Sequence, residues 1–130
     1  MLYNYAVDIV IDASCIIAVL EDEPERDSVL KKTKNSPLYA PSCLPYEIGN
    51  SLSAMVKRHR IDTSKAIEAI EMFEKIPVCL IEPDIEKAVQ IATEEKHYAY
   101  DAYYIECALE KGMPIFSLDN GLVEMAKNEV

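Results

Sequence analysis

The run Ile9-Val10-Ile11, followed at once by Asp12, constrains this chain more than any other stretch. Three β-branched residues in a row suit a strand buried on both faces, and an acidic residue cannot prolong such a run. The strand therefore ends by presenting a carboxylate. Ala13 to Leu20 is again apolar and reads as a helix whose free N–H groups Asp12 or Ser14 can cap. Strand, acidic turn and helix make the first unit of an α/β domain. Asp12 stands at the carboxyl end of its strand, the edge at which open α/β sheets bind ligands.

The alternation continues along the chain. Asp22-Glu23-Pro24 opens a second helix, Glu25 to Lys34, in which only Val29 and Leu30 are strongly apolar, so it is expected to lie loosely on the surface. Pro37 to Pro41 is a second strand held between prolines. From Leu44 to Arg60 a third helix carries Ile48, Leu52, Met55, Val56 and His59 on one face. Glu47, Asn50, Ala54, Lys57 and Arg58 lie on the other, with an acid at the start and bases at the end. Asp62 or Thr63 caps a fourth helix with Ala66, Ile67, Ile70 and Phe73 inward, stopped by Pro77. Val78 to Ile81 reads as a third buried strand. Asp84 caps a fifth helix through Ile85, Ala88, Val89 and Ala92, ending near Lys96. A sixth begins around Tyr100-Asp101, with Ala102, Ile105, Ala108 and Leu109 inward, and ends at Gly112. Pro114 to Leu118 is a fourth strand that runs into Asp119, and a short helix from Gly121 to Lys127 closes the chain. About four strands between about seven helices predict an α/β fold with a mostly parallel sheet, in one domain over residues 1–130.

Half the residues are hydrophobic, enough for one real core. No apolar run approaches the ~20 residues of a spanning helix, and Met1 to Asp8 lacks the charge pattern of a signal peptide. A soluble cytoplasmic protein with no membrane partner is expected. Cys15, Cys43, Cys79 and Cys107 are widely spread, each beside apolar residues, and read as reduced core residues rather than a disulfide frame or zinc site. With three glycines in all there is no Gly-rich loop to cradle a phosphate, which excludes P-loop and dinucleotide-binding chemistry. A net charge of −10 argues against a nucleic-acid partner until its distribution is considered. Between Lys31 and Lys65 seven basic residues, Lys57 and Arg58 among them, face only Glu47 and Asp62, a local +5 that leaves −15 elsewhere. A basic rim on an acidic body is one reading, and a solvated charged face is the other.

Taken singly, Asp12, Glu47, Asp101 and Asp119 each read as a cap, a dipole partner or a turn residue. Jointly they say more. Asp12 and Asp119 end strands while Glu47 and Asp101 open helices, and in a parallel sheet all four positions share one edge. Four converging carboxylates repel one another unless a multivalent cation neutralises them, and an all-oxygen donor set suits Mg²⁺ or Mn²⁺. Water activated at such an ion can attack a phosphodiester. Ser14 and Ser117 each lie two residues from a strand-end acid, and Asn50 lies one turn from Glu47, so all three can orient carboxylates or waters. Gly49 costs its helix about 1 kcal/mol relative to alanine, a sign of close approach by another element or a substrate, or of packing.

Ile11-Asp12-Ala13-Ser14, Tyr46-Glu47-Ile48-Gly49-Asn50, Tyr100-Asp101-Ala102 and Ser117-Leu118-Asp119 resemble, in order and spacing, the four acidic motifs of PIN-domain nucleases. The chain's size and its Asp22-Glu23-Pro24-Glu25-Arg26 segment are most similar to the VapC-type toxins of toxin–antitoxin pairs. The resemblance covers nearly the whole chain. It implies a Mg²⁺- or Mn²⁺-dependent endoribonuclease that leaves a 5′ phosphate, with Asp12, Glu47, Asp101 and Asp119 holding the ion and Ser14, Asn50 and Ser117 in support. It also implies a homodimer, an RNA substrate and a protein antitoxin that fills the groove. The second helix, through Val29 and Leu30, and the edge of the third are the expected antitoxin contact. Relatives add a fifth strand after the last helix, whereas this sequence stops at Lys127 to Val130, so a sheet edge is expected for a partner or second subunit to cover.

Other readings are a catalytically silent PIN-like binding module and an aspartate-dependent phosphotransfer enzyme. The haloacid dehalogenase type would want an acid where Ser14 stands, and a receiver domain would need an acidic pair and a late lysine that are missing. His97 reads as a partly exposed surface histidine and His59 as a core or interface residue. Tyr98, Tyr100, Tyr103 and Tyr104 could stack on RNA bases but are expected to pack beside the crevice.

Overall fold

The computed structural model describes residues 7–129. The leading segment considered for a signal peptide lies, up to residue 6, outside them. β1 (Ile9–Ile11) is buried along its whole length and pairs in parallel on both sides, with β2 (Leu38–Pro41) and with β4 (Ile115–Phe116). β3 (Val78–Ile81) pairs in parallel with β2, so the strand order is β3-β2-β1-β4. The register sets Val10 between Tyr39 and Ile115.

The chain winds outward from β1 to β2 to β3, then crosses back to place β4 on the far side of β1. α1 (Ala13–Leu20), α2 (Arg26–Thr33), α3 (Leu44–Lys57) and α4 (Thr63–Phe73) fill the outward crossovers and pack on one another. α5 (Ile85–Glu94) and α6 (Ala99–Lys111) fill the return, and α6 lies along β1, β2 and β4 with α7 (Asn120–Glu129) beside it. Right-handed crossovers running in opposite directions put their helices on opposite faces, which makes a parallel sheet between two helical layers. The reversal leaves a crevice at the carboxyl ends of β1 and β4. Among the described residues four strands and seven helices match the expected architecture, and no helix is long and apolar enough to cross a membrane.

The core differs from the sequence reading in several places. Val29 is fully buried, so α2 is anchored through it and only Leu30 is open. β3 is an edge strand with Cys79 and Leu80 exposed, not a buried one. In α4 and α5 Ala66, Ala69, Ala88, Ile91 and Ala92 are buried and Ile70 and Phe73 pack against the core as expected, while Ile67, Ile85 and Val89 face outward, and Leu109 of α6 is also exposed. Small side chains let a helix approach its neighbour closely, and that outweighed hydrophobic size in setting these faces. Cys15 and Cys107 are buried and Cys43 half-buried, as expected of core residues, and all four are free. Burial pushes the thiols of Cys15 and Cys107 up to about 12, out of thiolate chemistry.

Helix ends account for most boundary differences. α3 stops at Lys57, and His59 turns left-handed (φ 60°) with its N–H on Val56 O and that of Arg60 on Met55 O, which puts His59 outside the helix and exposed. Asp22 and Lys96 close α1 and α5 in the same way, and only α6 uses the expected glycine, Gly112 at φ 64°. Two changes in one helix should therefore move stability in opposite directions. Leu52→Ala, at a fully packed site, should cost about 2–5 kcal/mol. His59→Gly should add about 0.5–1 kcal/mol by relieving left-handed strain. Urea unfolding monitored by circular dichroism reads both.

Candidate active site

Asp12 is the hub. Its backbone leaves β1 extended and caps α1, with Oδ1 accepting from Cys15 N (3.3 Å) and from Ser14 Oγ (2.6 Å). Oδ2 accepts from Ser117 Oγ (2.6 Å), just past β4. The two serines also take backbone N–H groups, Leu118 N on Ser14 Oγ and Asp119 N on Ser117 Oγ, both at 2.9 Å. The Ser14 and Ser117 positions thus lock the β1 and β4 ends together around one carboxylate. Burial pushes Asp12 above the usual carboxylate range, against the pull of Ser117, Ser14 and Cys15, and Asp119 adds to the push.

The other three acids meet around it. Glu47, in the first turn of α3, accepts from Cys43 Sγ at 3.1 Å, and Tyr104 of α6 points its buried hydroxyl at Glu47 without closing a well-formed hydrogen bond. Burial first, then the charges of Asp101 and Asp12, raise Glu47. Asp101, in the first turn of α6, is raised by burial, Asp119 and Asp12 and lowered by His97, whose Nδ1 is 3.1 Å from Asp101 Oδ2. Asp119 caps the turn into α7 by accepting from Leu122 N at 3.1 Å. All four expected acids share the crevice, each within electrostatic reach of others, and among the described residues no lysine or arginine forms an ion pair with them.

The remaining expected residues are placed differently. Asn50 is exposed and lines a cleft of about 390 Å³ with Tyr46, Glu47, Ser51 and Tyr100. A second cleft of about 320 Å³, lined by Ser14, Ile17, Glu23, Glu25, Ser51 and Leu118, adjoins it at Ser51. Gly49 opposes open space, so neither tight packing nor a neighbouring element explains it. Lys57 and Arg58 are exposed at the far end of α3, about 15 Å from Glu47 along the helix axis. Tyr98 and Tyr100 are open to solvent, while Tyr104 is buried under Glu47 and Tyr103 meets the Tyr100 ring edge-on.

The model of the PIN domain family matches residues 9–128. The chain belongs to the PIN domain family. In fold it is similar to PAE2754 from Pyrobaculum aerophilum, at 24% identity and a TM-score of 0.72 over 97% of this chain and 91% of that one. It is also similar to VapC20 from Mycobacterium tuberculosis, a toxin that cleaves the sarcin–ricin loop, at 14% identity and a TM-score of 0.64 over 90% and 94%. No curated protein sequence matches the chain.

The donor set of this PIN domain is hard oxygen, negatively charged and partly desolvated, which fits Mg²⁺ or Mn²⁺ in kind. In number it offers less than the sequence promised. Among the described residues no group of three acidic, histidine or cysteine side chains is arranged to hold an ion in common. Mg²⁺ needs only one or two carboxylates and keeps several waters, so that sparse arrangement still suits it. Two neighbours complete the surroundings: Tyr104 packs beside the crevice as expected, beneath Glu47, and His97, expected as a surface histidine, stands against Asp101. The i, i+4 spacing of His97 and Asp101 was a usable signal, but a helix boundary between them hid it.

The raised carboxylates fix a sign for pH dependence. A group whose folded pKa lies above its unfolded value stabilises the fold fully below the unfolded value, and that contribution is lost as pH rises through the folded one. Without divalent ions, Asp12→Asn should therefore gain stability relative to the parent as pH rises from about 4 to 8. Thermal unfolding in chelator across that range measures the difference, and a variant that loses stability relative to the parent as pH rises would contradict the assignment.

Proposed function

We propose that this PIN domain is a Mg²⁺- or Mn²⁺-dependent endoribonuclease acting in the cytoplasm as the toxin of a toxin–antitoxin pair, a homodimer restrained by a protein antitoxin. The observation that carries the reading is that Asp12, Glu47, Asp101 and Asp119 lie near one another at the β1–β4 crevice, where burial and neighbouring charge raise Asp12, Glu47 and Asp101 and no lysine or arginine among the described residues pairs with any of the four. Family membership and the fold shared with a toxin that cleaves RNA support it.

Asp12, Glu47, Asp101 and Asp119 would hold the ion, directly or through water. When bound, it supplies an activated water and offsets charge on the phosphoryl oxygens. Ser14 and Ser117 hold both oxygens of Asp12 in place, so the carboxylate needs no reorganisation as an ion enters. Asn50, at the rim of the cleft beside Glu47, orients the RNA backbone or a water. The P–O3′ bond breaks, water oxygen remains on the new 5′ phosphate, and the 3′ oxygen takes a proton. Lys57 and Arg58 lie far enough along α3 to take phosphates beyond the scissile one rather than the reacting group.

Purified protein incubated with structured RNA and Mn²⁺ should give discrete cuts with 5′-phosphorylated ends. Asp12→Asn and Asp101→Asn should each lower cleavage by about 100-fold or more with an unchanged circular dichroism spectrum, since outer-shell changes alone cost 10–100-fold. Parent-like cleavage by both variants would remove the assignment. Folded parent protein with neither cleavage nor saturable Mn²⁺ binding would instead identify a silent binding module.

A further inference from the structure

His97 lies outside the four acidic motifs, yet the fold ties it to one of them and sets it near a second. α5 closes on left-handed Lys96 (φ 54°), with Lys96 N on Thr93 O at 3.3 Å and His97 N on Ala92 O at 2.8 Å. This paired closure fixes the His97 backbone. α6 begins two residues later, which brings Asp101 one helical turn beyond His97 and sets Nδ1 3.1 Å from Asp101 Oδ2. The other ring nitrogen faces the start of α7. A Cβ added at Gly121 would lie 3.3 Å from His97 Nε2 and 3.2 Å from Asp119 Oδ1, so the ring and that carboxylate flank one point and Gly121 leaves room for both.

We infer that His97 is a positioning residue of this site, holding the Asp101 carboxylate through Nδ1 so that this acid keeps one orientation. The inference rests on the nuclease reading, because its consequence is the geometry offered to a divalent ion. An exposed ion pair one turn apart contributes little to stability by itself. Two features go beyond such a pair here: the fixed backbone of His97, and a glycine at the point that the ring and Asp119 Oδ1 flank. Partners that orient ion-binding carboxylates typically matter 10–100-fold in affinity or activity.

The test uses the full chain and reads Mn²⁺ affinity by calorimetry, kcat and KM on RNA, and thermal unfolding in chelator. His97→Ala should weaken Mn²⁺ binding by 10–100-fold and lower kcat while KM for RNA stays close to the parent's. His97→Asn, whose amide nitrogen can donate to Asp101 in place of Nδ1, should recover most of the affinity. Parent-like Mn²⁺ affinity and kcat in His97→Ala, or equal losses in His97→Ala and His97→Asn, would overturn the inference while leaving the nuclease reading standing. A parent chain that binds no Mn²⁺ and cuts no RNA would bring down both.

Discussion

One carboxylate at the end of one buried strand organises this molecule. Asp12 is only 5% exposed, and a group in that position is costly unless its oxygens are satisfied. The chain satisfies them with two serine hydroxyls and a helix N-terminus, drawn from β1, α1 and the segment after β4. The same bonds that make the charge tolerable stitch together two strands more than a hundred residues apart in sequence. Cys15 adds to the seam by donating to Phe116 O at 3.5 Å. The switch in winding direction at β1 is therefore both the topological centre of the sheet and the place where its most demanding side chain sits.

The price of this arrangement is electrostatic. Glu47 and Asp101 are brought toward Asp12 by helices on opposite faces of the sheet, and Asp119 by the turn into α7. Burial and proximity raise Asp12, Glu47 and Asp101. Such a cluster stabilises nothing by itself; it stores a demand for positive charge that no lysine or arginine among the described residues meets through an ion pair. Several of the chain's basic residues sit at the end of α3 and in the turn into α4, where Arg60 pairs with Glu23 at 3.9 Å, and Lys32 of α2 lies over the Phe116 ring of β4 at 4.8 Å.

The strand–helix alternation, the parallel sheet and the four acidic positions were all legible in the sequence, because β-branched runs, acidic strand ends and capping residues are local signals with local causes. Which face each helix turns inward was not. Ile67, Ile85 and Val89 look like core residues by periodicity, yet alanines take the inner positions because close approach between elements, a tertiary constraint, decided the matter. Helix ends were equally obscured, since Asp22, His59 and Lys96 adopt left-handed turns that residue type does not announce in a chain with three glycines.

What the sequence determined by itself, then, is that four carboxylates belong to one sheet edge, since strand ends and the following helix starts share that edge in any parallel α/β fold. Only the tertiary structure decided how they meet: Asp12 pinned by serines from both sides, Glu47 set over the Tyr104 hydroxyl, and Asp101 held by His97 across a helix boundary. Those contacts depend on distances between elements that touch only after the chain has folded back on itself, and no local pattern encodes a distance.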